Sequence, residues 1–246
     1  MSTPSPHDQL RGLIAAARHM LAFTGAGISA ESGIPTYRGD DGLWNKYDPA
    51  RFANIDNFFN EPAYYWNFFR EVRYPAISQA TPNRAHAALA ELERRGILKA
   101  VITQNIDGLQ QAAGSSNVLE LHGNTRRIIC LQCHRQYAME EVYQLLATRL
   151  PPACTACSGT LKPDVVFFGE RLPADVLQKA ITEAQACDLF LVVGSSLVVQ
   201  PAAGLPVAAH RNGARVVIIN RDPTPLDRIA DLVFHERAAE VLSAVA

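Results

Sequence analysis

Apolar residues in this chain gather into short runs, several of them closed by a glycine, a serine or a polar amide. The runs at 19–23, 99–103, 118–121, 164–170, 189–196 and 215–220 read as strands of a parallel sheet, the last two, ending in Gly/Ser or Asn, as strands buried on both faces. Between them the spacing turns helical. In 83–96, Ala85, Leu89 and Leu92 share one face, Pro82 stands at the start and Gly96 at the stop, and His86 reads as a packed or capping residue. Residues 9–18 predict a short helix with Asp8 as N-cap, and 173–186 and 201–212 predict connecting helices. From Leu43 to Tyr74 aromatic residues are dense and do not alternate, which predicts a helical module with an apolar inner face. The fold class implied is α/β, a Rossmann-like parallel sheet domain with helices between its strands.

Three of the strand runs end in residues with chemistry to offer. After 19–23 comes Thr24-Gly25-Ala26-Gly27-Ile28-Ser29-Ala30, the spacing of a turn that brings backbone N–H groups against a pyrophosphate; alone, it is equally a structural tight turn. The segment then breaks at Gly33, Pro35 and Gly39 around Tyr37-Arg38, as a loop over an anionic ligand would. The strand at 99–103 runs into Gln104-Asn105-Ile106-Asp107, and 118–121 runs into His122-Gly123. Ligands of open α/β sheets sit outside the carboxyl ends of strands, where both clusters fall. For Asp107 an N-cap role is compatible with a functional one.

The chain has 246 residues, 48% hydrophobic and 19% charged, and a net charge of −1, so no general attraction to nucleic acid or membrane is expected. Residues 1–8 are polar and no apolar run is long enough to span a bilayer, which suggests a cytoplasmic protein. Four of the five cysteines form two Cys-x-x-Cys pairs, Cys130/Cys133 and Cys154/Cys157, separated by 20 residues. That is the spacing of a four-thiolate zinc site, with redox dithiols or disulfides as the alternative. Four protein ligands leave no open position, so the zinc is expected to be structural. Cys187 reads as an inert packed thiol.

Taken in order, these stretches resemble the sirtuins, the family of NAD-dependent protein-lysine deacylases. The resemblance rests on Gly25-Ala26-Gly27-Ile28-Ser29 with Ser32-Gly33-Ile34-Pro35 and Tyr37-Arg38-Gly39, on Thr103 to Asp107, and on Leu121-His122-Gly123. It continues through the four cysteines, Pro163 to Glu170, Gly194 to Val199 and Ile219-Asn220, and so covers nearly the whole chain. It implies one catalytic core over 1–246, with a large domain from about 8–40, 80–124 and 163–246. A small domain is implied from the helical module, about 41–79, and the zinc insertion, about 125–162. NAD and an acyl-lysine peptide would share the cleft between them, giving free lysine, nicotinamide and O-acyl-ADP-ribose.

The resemblance also assigns roles. His122 would be the catalytic base, and Asn105 would act with Asp107 in the nicotinamide pocket. Gly25, Ala26, Gly27, Glu31, Tyr37, Arg38, Gln104, Ile106, Gly194, Ser195, Ser196, Asn220 and Arg221 would contact NAD. Val166, Phe167 and Gly169, with Val198 and Val199, would flank a substrate peptide lying as an extra strand. Two departures stand out: Gln110 replaces a frequent histidine, for which only a local rearrangement is expected. Trp66-Asn67-Phe68-Phe69 also lacks the Tyr-x-x-Arg pair of members that prefer succinyl or malonyl groups. A preference for acetyl or longer apolar acyl groups is expected, since an anionic group would find no cation; Arg70 is the residue that would otherwise be suspected. Competing readings are mono-ADP-ribosyl transfer from the same NAD site, a non-catalytic NAD- or peptide-binding module, and a zinc-ribbon nucleic-acid binder. The near-neutral charge argues against the last.

Overall fold

A computed structural model describes residues 4–38 and 42–245; Gly39 of the Tyr37-Arg38-Gly39 stretch lies outside the described residues. Six parallel strands form the main sheet: β1 (Met20–Thr24), β2 (Leu98–Thr103), β3 (Val118–Glu120), β7 (Leu189–Val193), β8 (Arg215–Ile219) and β9 (Leu232–Phe234), in the order β3-β2-β1-β7-β8-β9. The order reverses between β1 and β7, which pair in register from Met20↔Leu189 to Thr24↔Val193. This is the doubly wound arrangement, and a crevice opens where the loops after β1 and β7 diverge.

Period-2 alternation within the runs explains the layers. Met20, Ala22, Val101, Leu191, Val193, Val217 and Ile219 face one core with the helices Pro6–Ala16, Arg84–Arg94 and Ala238–Ser243. Leu21, Phe23, Ile102, Phe190, Val192, Val216 and Ile218 face the other with Ala174–Ala186 and Leu205–Arg211. The first helix starts earlier than its periodicity suggests, because the cap is Ser5, whose Oγ accepts the Asp8 N–H, and not Asp8.

A second, antiparallel sheet of β4 (Gly123–Cys130), β5 (Gln136–Ala138) and β6 (Leu161–Val165) runs in the order β5-β4-β6. The strand expected at 164–170 is corrected here in two respects. It belongs to this sheet, as β6 against β4 from Gly123↔Val165 to Cys130↔Leu161, and it ends at Val165. Beyond Val165 the chain folds into a turn: Phe167 N–H donates to Glu170 Oε2 at 2.8 Å, and Phe167 O accepts the Glu170 N–H at 3.0 Å. The backbone groups of Phe167 are then occupied locally, and those of Phe168 by Ala53 and Ile55, so neither ladders onto β4.

The third core joins the aromatic helices to this sheet. Phe58, Tyr65, Trp66, Phe69 and Ile77 pack with Ile128, Cys130, Tyr137, Met139, Cys154, Leu161 and Phe167. Among the described residues no helix is long and apolar enough to cross a membrane.

Candidate active site

The loops after β1 and β7 touch backbone to backbone, which explains their glycines. Gly27 N–H donates to Gly194 O at 2.9 Å, and a Cβ on Gly27 would stand 2.7 Å from Gly194 Cα. Gly194 itself holds φ +64°, a conformation that costs a residue with a side chain about 1–2 kcal/mol. After Gly25 the chain enters a 3-10 helix, Ala26–Ser32, instead of the long α-helix of a plain dinucleotide turn. The amides of Ala26, Ser195 and Ser196 donate to no protein group among the described residues and line one cavity. Unpaired amides gathered on small residues fit an anionic diphosphate.

That cavity has a volume of about 1300 Å³. It brings together Gly25, Ala26, Gly27, Glu31, Tyr37, Arg38, Gln104, Asn105, Ile106, His122, Val166, Phe167, Gly169, Gly194, Ser195, Ser196, Val199, Asn220 and Arg221. Two expected residues stand apart. Val198 is 48% exposed outside the lining, and Asp107 lines only an adjoining chamber of about 40 Å³. Arg73, Gln200 and Arg237 belong to the wall of the main cavity without having been singled out from sequence. They sit in stretches whose periodicity is helical or absent, so only the tertiary fold places them there.

His122 follows β3, and its Nδ1 lies 3.0 Å from the Gln104 carbonyl oxygen. A carbonyl only accepts, so Nδ1 carries the proton and Nε2 keeps its lone pair. Burial pulls its pKa below the ordinary histidine value, against the opposing pull of the Gln104 carbonyl. Gln104 is held in turn, its Nε2 donating to Ser195 Oγ at 2.8 Å across the crevice. Asn105 Nδ2 donates to Gly25 O and to Ser29 Oγ, each at 3.1 Å, leaving its Oδ1 without a protein partner among the described residues.

Behind Asn105 lies a buried polar chain. Ser29 Oγ donates to Asp107 Oδ2 at 2.7 Å, while Asp107 Oδ1 accepts the Leu109 N–H at 2.9 Å. The N-cap of the short helix Leu109–Ala112 is Gly108 and not Asp107; Asp107, one residue earlier, holds the first helical amide and braces the pocket. His86 Nδ1 accepts the Asn83 N–H in the capping box of the helix Arg84–Arg94, and its Nε2 lies 3.4 Å from Ser29 Oγ. Burial lowers the His86 pKa although Asp107 opposes it, so His86 is a neutral cap. Gln110 is buried on the helix Leu109–Ala112, away from the cavity, with its carboxamide unpartnered among the described residues.

On the loop side, Arg38 Cζ stacks 3.8 Å over the Trp44 ring, and Tyr37 lies 5.9 Å from the same ring. Asn220 Nδ2 donates to Asp222 O at 2.7 Å, and the Arg221 side chain is largely exposed.

The four cysteines meet as expected. Their Sγ atoms lie within 4.8 Å of one another, with Cys130–Cys157 at 3.5 Å and Cys133–Cys154 at 3.6 Å. Zinc–thiolate bonds of about 2.3 Å at tetrahedral angles set sulfurs about 3.8 Å apart, whereas a disulfide needs about 2.05 Å. Both pairs are built alike: Cys130 O and Cys154 O accept the N–H of His134 and Ser158, which hold φ 59° and 60°. The Tyr137 hydroxyl, 3.0 Å from Cys154 Sγ, brings that thiol down to about 6. Cys157 is pushed up to about 12: the Gly159 amide lowers it, and the thiols of Cys133 and Cys130 outweigh that. Four thiolates at this spacing need a cation, and an all-sulfur tetrahedral set suits zinc. Cys187 is buried elsewhere and its thiol is raised to about 12 by burial, as an inert packing residue would be.

Comparison with known proteins adds the family. The Sir2 family model matches residues 25–201. This chain belongs to the Sir2 family. It is 52% identical over 231 residues to the NAD-dependent protein deacylase 2 of Archaeoglobus fulgidus, covering 94% of this chain and 90% of the relative. It is 48% identical over 233 residues to the NAD-dependent protein deacylase of Pyrococcus furiosus, covering 94% and 92%. Among solved Sir2 structures, a complex with p53 peptide and NAD+ superimposes with a TM-score of 0.91 at 42% identity, covering 96% of this chain and 95% of that one. A Sir2 enzyme bound to a propionylated peptide gives 0.89 at 40%, covering 97% and 96%.

Proposed function

We propose that the protein removes acyl groups from protein lysines in a reaction that consumes NAD, with His122 as base and Asn105 orienting the reacting groups. The observation that carries this reading is the pinned tautomer of His122, which presents a free Nε2 to the cavity. Several relatives are named NAD-dependent deacylases or deacetylases, and related Sir2 structures hold NAD+ or acylated peptide.

In this reading the free amides of Ala26, Ser195 and Ser196 hold the NAD diphosphate, with Gly25, Gly27 and Gly194 allowing the close approach. Gln104, Asn220 and Arg221 face its ribose groups, and Glu31, Tyr37, Arg38, Ile106 and Asp107 enclose the rest. Bound NAD supplies an electrophilic ribose carbon from which nicotinamide leaves. Asn105 Oδ1, its amide nitrogen tethered, fixes the nicotinamide end, and His122 accepts a proton at Nε2. The peptide lies between 166–169 and 198–199, where the amides of Gly169, Val198 and Val199 have no protein partner among the described residues and are open to a ladder. The four thiolates hold a structural zinc, and the proposed setting is the cytoplasm, where thiols stay reduced.

The test is mass spectrometry of an acetyl-lysine peptide incubated with and without NAD, for the wild type and His122→Ala. Loss of acetyl only with NAD, matched by nicotinamide and O-acetyl-ADP-ribose and reduced by about 1000-fold or more in the variant, is expected. ADP-ribosylated protein with the acetyl retained would instead mark a transferase, and NAD binding without turnover a binding module.

A further inference from the structure

The two cysteine pairs share a backbone geometry, but their surroundings differ. Beside the first, Gln132 Oε1 stands 3.7 Å from Cys130 Sγ and accepts the Thr160 N–H at 2.6 Å. It is an acceptor and has nothing to donate to a metal-bound sulfur. Beside the second stands a donor. Tyr137, on β5 and only 5% exposed, brings its hydroxyl to 3.0 Å from Cys154 Sγ. Among the described residues no other side-chain hydroxyl reaches a sulfur of the cluster.

The atoms around that hydroxyl fix the direction of its hydrogen bond. The Thr155 N–H donates to the Tyr137 oxygen at 3.0 Å, and Thr155 Oγ1 lies 3.1 Å from the same oxygen. A thiolate bound to a cation carries no proton, so Cys154 Sγ accepts and the phenol donates to it. The phenol has one proton, so the Thr155 hydroxyl in turn donates to the phenol oxygen. Arg135 Cζ lies 5.3 Å from the centroid of the Tyr137 ring, and a cation there draws density from the phenol and strengthens it as a donor. The ring itself is anchored apart from the cysteines, since Tyr137 pairs with Ile128 on β4 and packs in the aromatic core.

We infer that Tyr137 is a positioning residue of the metal site: its hydroxyl donates to the Cys154 thiolate and so raises the affinity of the four cysteines for zinc. The inference rests on the zinc reading above and adds a residue to it. Four thiolates outweigh the charge of one divalent cation, and hydrogen bonds from groups behind the ligands relieve the excess. The same bond holds the Cys154 side chain in the orientation that points its sulfur at the other three.

The experiment measures zinc affinity of the full chain by competition with a chromophoric chelator, for the wild type, Tyr137→Phe and Thr155→Val, with melting curves of the loaded and zinc-free forms. Tyr137→Phe is expected to bind zinc about 10-fold more weakly, and to lower the Tm of the loaded form more than that of the zinc-free form. With cobalt in place of zinc, its thiolate-to-metal charge-transfer band should move to lower energy, because a sulfur without a hydrogen bond gives up charge more readily. Thr155→Val keeps the phenol donor, so its affinity should fall by about 2-fold or less. Unchanged affinity in Tyr137→Phe overturns the inference, and so does a cobalt band that stays in place. An equal drop in Tm of both forms overturns it by making the ring a packing residue, and an equal loss of affinity in Thr155→Val by placing the effect in the loop. The wild type decides the matter even if Tyr137→Phe does not fold. Loaded with an NMR-active cadmium isotope, it should show the Tyr137 hydroxyl proton coupled to the metal through sulfur, and an uncoupled proton overturns the inference. A wild type that takes up neither zinc nor cadmium overturns the metal reading itself, and the inference with it.

Discussion

His122 shows how a side chain legible in a sequence acquires its chemistry from its neighbours. Its place after an apolar run put it at the carboxyl end of a strand and the family resemblance made it the expected base, but nothing in the linear pattern says which ring nitrogen is free. The Gln104 carbonyl decides that, and it reaches His122 because β2 and β3 pair in parallel with Thr103 opposite Glu120. Burial then lowers the imidazole pKa. A base works when neutral, so a lowered pKa keeps it competent into more acidic solution. The acid limb of kcat/KM for the free enzyme should accordingly turn below about 6.5, the ordinary histidine value. A limb at or above that value, measured with acyl peptide and NAD both well below their KM, would mean that another group titrates. The same residue-scale gap concerns Asn105 and Asp107. Both were named from sequence, yet their link through Ser29 is a product of the tertiary fold.

Among the elements, those of the parallel sheet were readable because burial on both faces leaves unbroken apolar runs, and Leu189–Val193 and Arg215–Ile219 are the apolar parts of their runs, ending before Gly194 and Asn220. The segment 164–170 was misread for an instructive reason. Val165, Val166, Phe167 and Phe168 look like one more strand, but their backbone is governed by two flanking charges. Lys162 Nζ donates to Val165 O at 2.7 Å and meets Glu170 Oε2 at 2.9 Å, and the same carboxylate oxygen accepts the Phe167 N–H. Lys162 also lies 4.5 Å from the Phe167 ring centroid. This staple closes the turn that presents Val166, Phe167 and Gly169 to the cavity, while Val166 N–H reaches back to His122 O at 3.0 Å. Lys162→Met removes the staple and leaves the Glu170 carboxylate partly buried with one amide. We expect the KM for acyl peptide to rise about 10-fold with the KM for NAD little changed, and Lys162→Arg to recover most of the loss. Equal increases in both constants would show that the pair supports the fold generally and not the peptide edge.

At the scale of the whole molecule, the two segments that interrupt the sheet domain are united by one core, and the cysteine cluster is part of it. Cys130 and Cys154 are buried in contact with the group that holds Phe58, Tyr65, Trp66 and Phe69, and Phe167 belongs both to that core and to the cavity wall. The Cys-x-x-Cys spacing announced the metal site, but only the fold shows that its sulfurs pack against aromatic helices more than 50 residues earlier in the chain. The core of the parallel sheet is separate, built from the helices on its two faces. Removing zinc should therefore act unevenly. Binding of a structural zinc contributes on the order of 10 kcal/mol in small zinc modules, comparable to the stability of a whole domain. Its loss leaves four clustered sulfurs with no shared ligand to hold them together. Dialysis against a chelator is expected to release about one zinc per chain, after which amide exchange should quicken in 55–79 and 123–165 and stay slow in β1, β2, β7 and β8. Trp66, fully buried in the shared core, should change its fluorescence in parallel. NAD should still bind, because the loops after β1 and β7 rest on the parallel sheet, whereas acyl-peptide turnover should fall as Phe167 loses its support. Uniform exchange across both cores would show instead that the metal stabilises the molecule as one cooperative unit, and protection unchanged in 123–165 would mean that the cysteine module holds its fold without the ion.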